Sequence, residues 1–252
     1  MPDKQDITVF PSQDALSNHA ADLLVRAARA AIAARGRFSV ALTGGSSPHK
    51  TYELLAQAPR SGQIDWASVF IFLGDERFVP EDDDRSNYGM CRRLLLDHVP
   101  LKADQTFPIR TNAATPQEAA DQYAGTLACV FRLPVDGPPP TLDLVLLGMG
   151  DDGHCASLFP GMPTLQVTDR WVVPSPPGTL PPPVDRVTCT LPVLNAARQV
   201  VFLVNGEKKA KAVRDIFEGG AETEQHPAAG VNPTAGTLTW LLDETAARLL
   251  TK

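Results

Sequence analysis

Short runs of consecutive apolar residues alternate along this chain with longer stretches whose apolar positions recur every three or four residues. Arg37–Thr43 (RFSVALT), Ser68–Leu73 (SVFIFL), Leu142–Leu147 (LDLVLL) and Gln199–Val204 (QVVFLV) are of the first kind. Their apolarity is continuous rather than alternating, as a strand covered on both faces of a parallel sheet requires. Trp171–Val173 and Arg186–Leu191 are weaker strand candidates. Of the second kind, Gln13–Arg35 places Leu16, Ala20, Leu23, Leu24, Ala27, Ala31 and Ile32 on one helical face, with Gly36 as a stop. Pro48–Gln57, Asn87–Asp97, Pro116–Phe131, Glu207–Phe217 and Asp243–Leu250 are the other predicted helices.

Strand and helix in alternation predict an α/β fold, a predominantly parallel Rossmann-like sheet flanked by helices, in one domain over residues 1–252. The proline cluster Pro174–Val184 (PSPPGTLPPPV) neither donates to a ladder nor continues a helix, so it is expected to be a stiff surface connection. Strand-like segments flank it, and one sheet is expected to continue across it. No internal repeat is found.

Composition narrows the partners. Apolar residues make up 43% and charged residues 21% of the 252, an ordinary globular balance. A net charge of −6 argues against nucleic acid or an anionic membrane as the main partner. A small anion held by a few converging cations stays compatible with it. The N-terminus lacks a basic segment followed by an apolar core, and no apolar run approaches the roughly 20 residues of a bilayer span. The four cysteines (Cys91, Cys129, Cys155, Cys189) never form C-x-x-C. A cytoplasmic protein with reduced thiols is expected, monomeric or weakly self-associating.

In a parallel sheet, ligands bind outside the carboxyl ends of the strands. All four of the loops there are polar and contain glycine. Thr43, Gly44, Gly45 and Ser46 combine close backbone approach with hydroxyls, and Pro48 opens a helix, which suits an oxyanion and serves a plain turn equally well. Pro48 also rules out a G-x-S-x-G nucleophile elbow. The second loop offers Asp75, Arg77, Arg85 and Asn87. The third, GMGDDGH, matches G-x-G-x-x-G, but two aspartates would face a pyrophosphate there, and no strand closes on an acidic residue about twenty positions later. It ends on His154, whose neutral imidazole accepts a proton near neutral pH. The fourth loop carries Lys208, Lys209 and Lys211 at a helix start, where cations oppose the helix dipole unless an anion joins them. Clustered metal ligands are absent from the sequence, so no metal cofactor is expected.

LTGGSSPHKTYELLA, FLGDERFVPEDDDRSNYGM, LDLVLLGMGDDGHCASLFPG, RVTCTLPVLNAARQVVFLVNGEKKA and GTLTWLLDETAA together resemble the 6-phosphogluconolactonase family, within the superfamily that includes glucosamine-6-phosphate deaminases. The deaminases typically continue IAFNEPG after the histidine, where this chain reads CASLFPG. The family often has glycine at the position of Lys208. The resemblance implies a glucosamine-6-phosphate deaminase/ribose-5-phosphate isomerase-like fold and hydrolysis of a sugar-phosphate lactone without cofactor. It implies His154 as general base, Asp75 and Arg77 as lining residues, and the first loop and Lys209 near the phosphate. On this basis Asp75 is expected to orient the imidazole or the water. Asn87, Gly150, Arg85 and Arg198 are added as candidate substrate contacts. A sugar-phosphate isomerase or deaminase and a non-catalytic sugar-phosphate sensor are the competing expectations.

Overall fold

The computed structural model describes residues 5–177 and 183–251. Its strands are β1 (Gln5–Phe10), β2 (Phe38–Leu42), β3 (Val69–Leu73), β4 (Asp75–Arg77), β5 (Leu144–Gly148), β6 (Val172–Ser175), β7 (Arg186–Cys189), β8 (Gln199–Val204) and β9 (Thr237–Asp243). The helices are α1 (Gln13–Arg35), α2 (His49–Ala56), α3 (Asn87–Leu94), α4 (Pro116–Phe131), α5 (Leu191–Asn195) and α6 (Ala210–Phe217), with short 3-10 turns between elements. Six strands form a wholly parallel sheet in the order β1-β9-β8-β5-β2-β3. The fold class expected from the alternation is the one observed.

Each central strand divides its side chains between two cores, because successive residues point to opposite faces. Val40, Leu42, Leu144, Leu146, Val201 and Leu203 face α1, α2 and α3. Ala41, Val145, Leu147, Val200, Phe202 and Trp240 face α4 and α6. Helix ends follow local chemistry. Ser12 caps α1 by accepting from the Ala15 amide at 3.2 Å, and Gly36, at φ 71°, ends it. Thr115 caps α4 by accepting from Glu118, with Pro116 in the first turn.

Three expectations are corrected. The predicted final helix Asp243–Leu250 is replaced by a run of turns, preceded by a strand, β9, that was not expected. Thr237–Asp243 is buried between β1 and β8, and Trp240 stacks on Phe202 with ring centroids 3.9 Å apart. Asp243 then accepts from Gly206 N, Thr245 Oγ1 and Ala246 N, which breaks the chain into a turn instead of a helix. Second, β6 and β7 do not extend the main sheet. They pair antiparallel with β4 in a separate sheet of order β4-β7-β6. Of the proline cluster, Pro174 and Ser175 belong to β6, while residues 178–182 lie outside the described residues. Third, Glu207–Lys209 forms a 3-10 turn before α6 proper.

β2 leads to its neighbour β3 on one side, while β5 leads to β8 on the other. The two adjacent strands therefore send their connections in opposite directions, and a crevice opens between their carboxyl ends. Two buried tyrosines fix the backbone beside it. Tyr52 Oη, from α2, accepts from Thr43 N at 3.0 Å and donates to Thr43 O at 2.9 Å. Tyr123 Oη, from α4, does the same for Leu73 N and O at 2.9 and 3.0 Å. The exits of β2 and β3 are thus held from opposite layers.

At the amino ends of the strands, buried Asp143 accepts from Ser39 N and Oγ and pairs with Arg35 at 2.8 Å and Arg198 at 3.6 Å. Asp143→Ala is expected to lower the unfolding free energy by about 2–3 kcal/mol, because it strands a buried amide donor. Arg198→Ala is expected to leave the affinity for any ligand in the crevice unchanged. Urea unfolding and ligand titration of both variants check this placement.

Candidate active site

The crevice is a cavity of about 280 Å3. The first loop lines it through Thr43, Gly44, Gly45 and Ser46, and the third through Gly148, Met149, Gly150 and His154. The two loops touch where Gly148 N approaches Thr43 Oγ1 at 3.4 Å. Gly44 is small for a reason internal to the site: a Cβ there would overlap the side chain of Asn87.

His154 is fixed by its own turn. The chain doubles back through Gly150 N donating to His154 O at 2.8 Å and Gly153 N donating to Gly150 O at 3.1 Å. Within that turn Asp152 Oδ1 receives His154 N at 3.0 Å and stands 2.6 Å from His154 Nδ1. A carboxylate only accepts, so the proton lies on Nδ1 and the other ring nitrogen, Nε2, is the basic one. Burial pushes the Asp152 carboxyl up, but the hydrogen bonds and charge of His154 outweigh it and the net displacement is downward. A Cβ on Gly150 would overlap the imidazole, so glycine there lets the ring lie against the turn. No helix follows this turn, so the G-x-G-x-x-G match is not a dinucleotide strand–turn–helix.

This corrects one of the two roles expected of Asp75, the orienting of the imidazole. Asp75 lines the cavity, but its carboxylate accepts from Ser157 Oγ at 2.6 Å and Asn87 Nδ2 at 3.2 Å, and Asp152 is the partner of His154. Asn87 reaches the cavity as expected.

The cations are rearranged as well. Arg77 lies in the cavity wall, and directly opposite it on β7 stands Arg186, which the sequence reading did not single out. The Nε atoms of both are buried without a protein partner. Burial pushes the Arg186 guanidinium down, Asp75 pushes it up and Arg77 pushes it down again. Two like charges paired across a ladder are mutually unfavourable. Together with the unpaired donors, they mark a place for an anion. Arg85 is not in the cavity wall: its guanidinium pairs with Asp83 at 2.6 Å, and only its carbonyl serves the site, accepting from Arg77 Nη1 at 2.7 Å. Arg198 is at the amino ends of β5 and β8, away from the crevice, on Asp143. Lys209 does line the cavity, donating to Met149 O and standing 3.6 Å from Asp151. Burial lowers its affinity for its proton, against the pull of Asp151 and Asp152. Lys208 and Lys211 are exposed. Among the described residues no three His, Cys, Asp or Glu side chains are grouped to hold a metal ion.

Residues 11–240 match the family described as glucosamine-6-phosphate isomerases/6-phosphogluconolactonase. A 6-phosphogluconolactonase of Synechocystis is 42% identical over 220 residues, covering 87% of this chain and 88% of that protein. The chain belongs to the 6-phosphogluconolactonase family. Among solved structures, 6-phosphogluconolactonase from Trypanosoma cruzi is 32% identical, with a TM-score of 0.88 over 100% of this chain and 99% of that one. A monomeric glucosamine-6-phosphate deaminase shares the fold alone, at 20% identity and TM-score 0.81 over 97% and 100% of the two chains. For a 6-phosphogluconolactonase-family chain, the crevice between β2 and β5 is thus the place to look for chemistry.

Glu76 governs the shape of this crevice without lining it. Its buried carboxylate accepts from Arg77 N, Asn87 N and Tyr88 N, each at 2.7 Å, and from Ser86 Oγ at 3.2 Å. One side chain therefore fastens both ends of the loop that carries Arg77 and Asn87. Burial pushes its carboxyl up to about 7, against those three amides, with Asp75 adding to the rise. Between pH 4.5 and 7 the folded chain keeps a proton that the unfolded chain releases, so stability falls as pH rises through that window. The expected loss is roughly 3 kcal/mol. Glu76→Gln should flatten the profile over that range, as measured by urea unfolding at a series of pH values.

Proposed function

We propose that the chain hydrolyses 6-phospho-D-glucono-1,5-lactone to 6-phosphogluconate, the lactone-opening step of the oxidative pentose phosphate pathway. Family membership supports the reaction class. The observation that carries the mechanism is the His154–Asp152 pair, which leaves a basic Nε2 at a cavity flanked by two arginines with unpartnered donors. A δ-lactone is an activated ester, so a positioned water and a general base suffice without a covalent intermediate.

Nε2 of His154 takes a proton as the water oxygen bonds to C1. Asp152 stabilises the resulting imidazolium and holds the ring in place. Backbone N–H groups of the glycine loops receive the oxyanion. As the C1–O5 bond breaks, the imidazolium returns its proton to O5, and the new carboxyl group ionises into solvent. The phosphate is a dianion, and the Arg77–Arg186 pair matches it in charge, whereas Lys209 is already engaged by Met149 O and Asp151. This revises the expectation that Lys209 and the first loop supply the phosphate site, and gives Lys209 the task of holding the His154 turn. The same reading takes the protein as cytoplasmic and its partner as a free sugar phosphate.

The test is hydrolysis of lactone made in situ, followed by coupled oxidation of the product with the spontaneous rate subtracted. His154→Ala is expected to lower kcat by about 10²–10⁴-fold. Asp152→Asn should lower it by up to about 10⁴-fold, through loss of the correct tautomer. Arg186→Ala should chiefly raise KM. A wild-type rate no better than the spontaneous one, with ammonia released from glucosamine 6-phosphate, would move the chain to the deaminase side.

A further inference from the structure

We propose that His226 is a positioning residue for the His154–Asp152 pair, anchoring the turn that carries them to the loop between α6 and β9. This rests on the hydrolase reading above. His226 sits far along the chain, in the loop between α6 and β9, and does not line the cavity. Its Nδ1 lies 3.0 Å from the carbonyl oxygen of Asp152. A carbonyl only accepts, so the ring donates from Nδ1. On its other side, Nε2 lies 3.5 Å from Asp215 Oδ2 of α6, and Asp215 is itself paired with Lys211 and Arg214 of the same helix. The imidazole is mostly buried, with 14% of its side chain exposed.

Two further contacts make this an anchor for the turn as a whole. Ala228 N donates to Gly153 O at 2.9 Å, so the successive carbonyls of Asp152 and Gly153 are both held by residues 226–228. Gly153 has φ +82°, and a Cβ there would overlap the His226 ring, so the ring packs directly on the turn's backbone. Asp152 is therefore held by two histidines at once, through its carbonyl by His226 and through its carboxylate by His154. A main-chain shift at Asp152 moves its carboxylate relative to the basic imidazole. Rates are sensitive to sub-ångström misplacement of this kind, whereas phosphate contacts on the opposite wall are untouched by it.

Two variants separate positioning from mere fastening. His226→Leu keeps much of the volume and removes the donor, whereas His226→Asn places an amide N–H near the position of Nδ1. In lactone hydrolysis, His226→Leu is expected to lower kcat about three- to tenfold, the effect of one ordinary hydrogen bond, with KM within about twofold of wild type. His226→Asn should recover most of the loss. An unchanged kcat in His226→Leu, an equal loss in both variants, or an effect confined to KM would overturn the proposal. Imidazole 15N NMR gives a readout that needs no turnover. Wild-type His226 should carry a proton on Nδ1, and His154 should lose Nδ1–H character in His226→Leu. A His226 protonated on Nε2 alone overturns the anchor even if the leucine variant does not fold. Failure of the wild type to open lactone would instead sink the hydrolase reading, leaving the NMR result to decide the anchor.

Discussion

β2 and β5 lie side by side and their chains depart in opposite directions, and the functional geometry of the protein hangs on that parting. A parallel sheet has no hairpins, so every strand exit is a loop delivered to the same edge. Where neighbouring connections diverge, no helix covers the gap, and the edge becomes a hollow instead of a packed surface. The Tyr52 and Tyr123 hydroxyls keep that hollow in register by satisfying both backbone groups at Thr43 and Leu73. Those are groups that would otherwise be left unpaired as the strands end.

Around the hollow the polar groups form two subsystems with different electrostatic characters. One is acidic and self-contained: Asp152 and Asp151 are matched to His154 and Lys209 within the same wall. The other is cationic and incomplete, because Arg77 and Arg186 face one another with buried Nε atoms unsatisfied. Phe159 touches a member of each, its ring centroid 4.7 Å from that of His154 and 5.4 Å from the Arg186 guanidinium. Its apolar body thus packs against both an imidazole and a guanidinium.

The doubly buried strands were legible because a short, continuously apolar run bounded by turn residues suits little but a strand covered on both faces. His154 stood out because its loop follows one of them. The short or ambiguous elements were not legible. DETAARLL contains enough helix formers to read as a helix, yet Asp243 accepts from Thr245 Oγ1 and Ala246 N and turns the chain, while the strand TLTWLLD before it was not singled out. β4 has three residues, too few for any period to show. The Asp152–His154 pairing, two residues apart, depends on a tight turn, and the expectation had gone to Asp75 on the family resemblance. Arg186 carried a readable signal that went unused: a charged residue heads a strand whose four residues are all buried. Arg198 offered the same charge but follows α5 at the amino ends of the strands, where Asp143 was waiting for it.

The order of strands also bears on how the molecule comes into being. β1, near the start of the chain, pairs along its length only with β9, near the end. Cleft residues meanwhile come from positions as distant as Thr43, Asp75, His154, Arg186 and Lys209. Such long separations in sequence make for slow closure, since loop entropy must be overcome before distant contacts reward it. During synthesis β1 emerges as an open edge and lacks this partner until β9 has followed. Ile7 and Val9, still exposed at that edge in the finished fold, are the residues that such a nascent chain would have to keep from sticking to its neighbours.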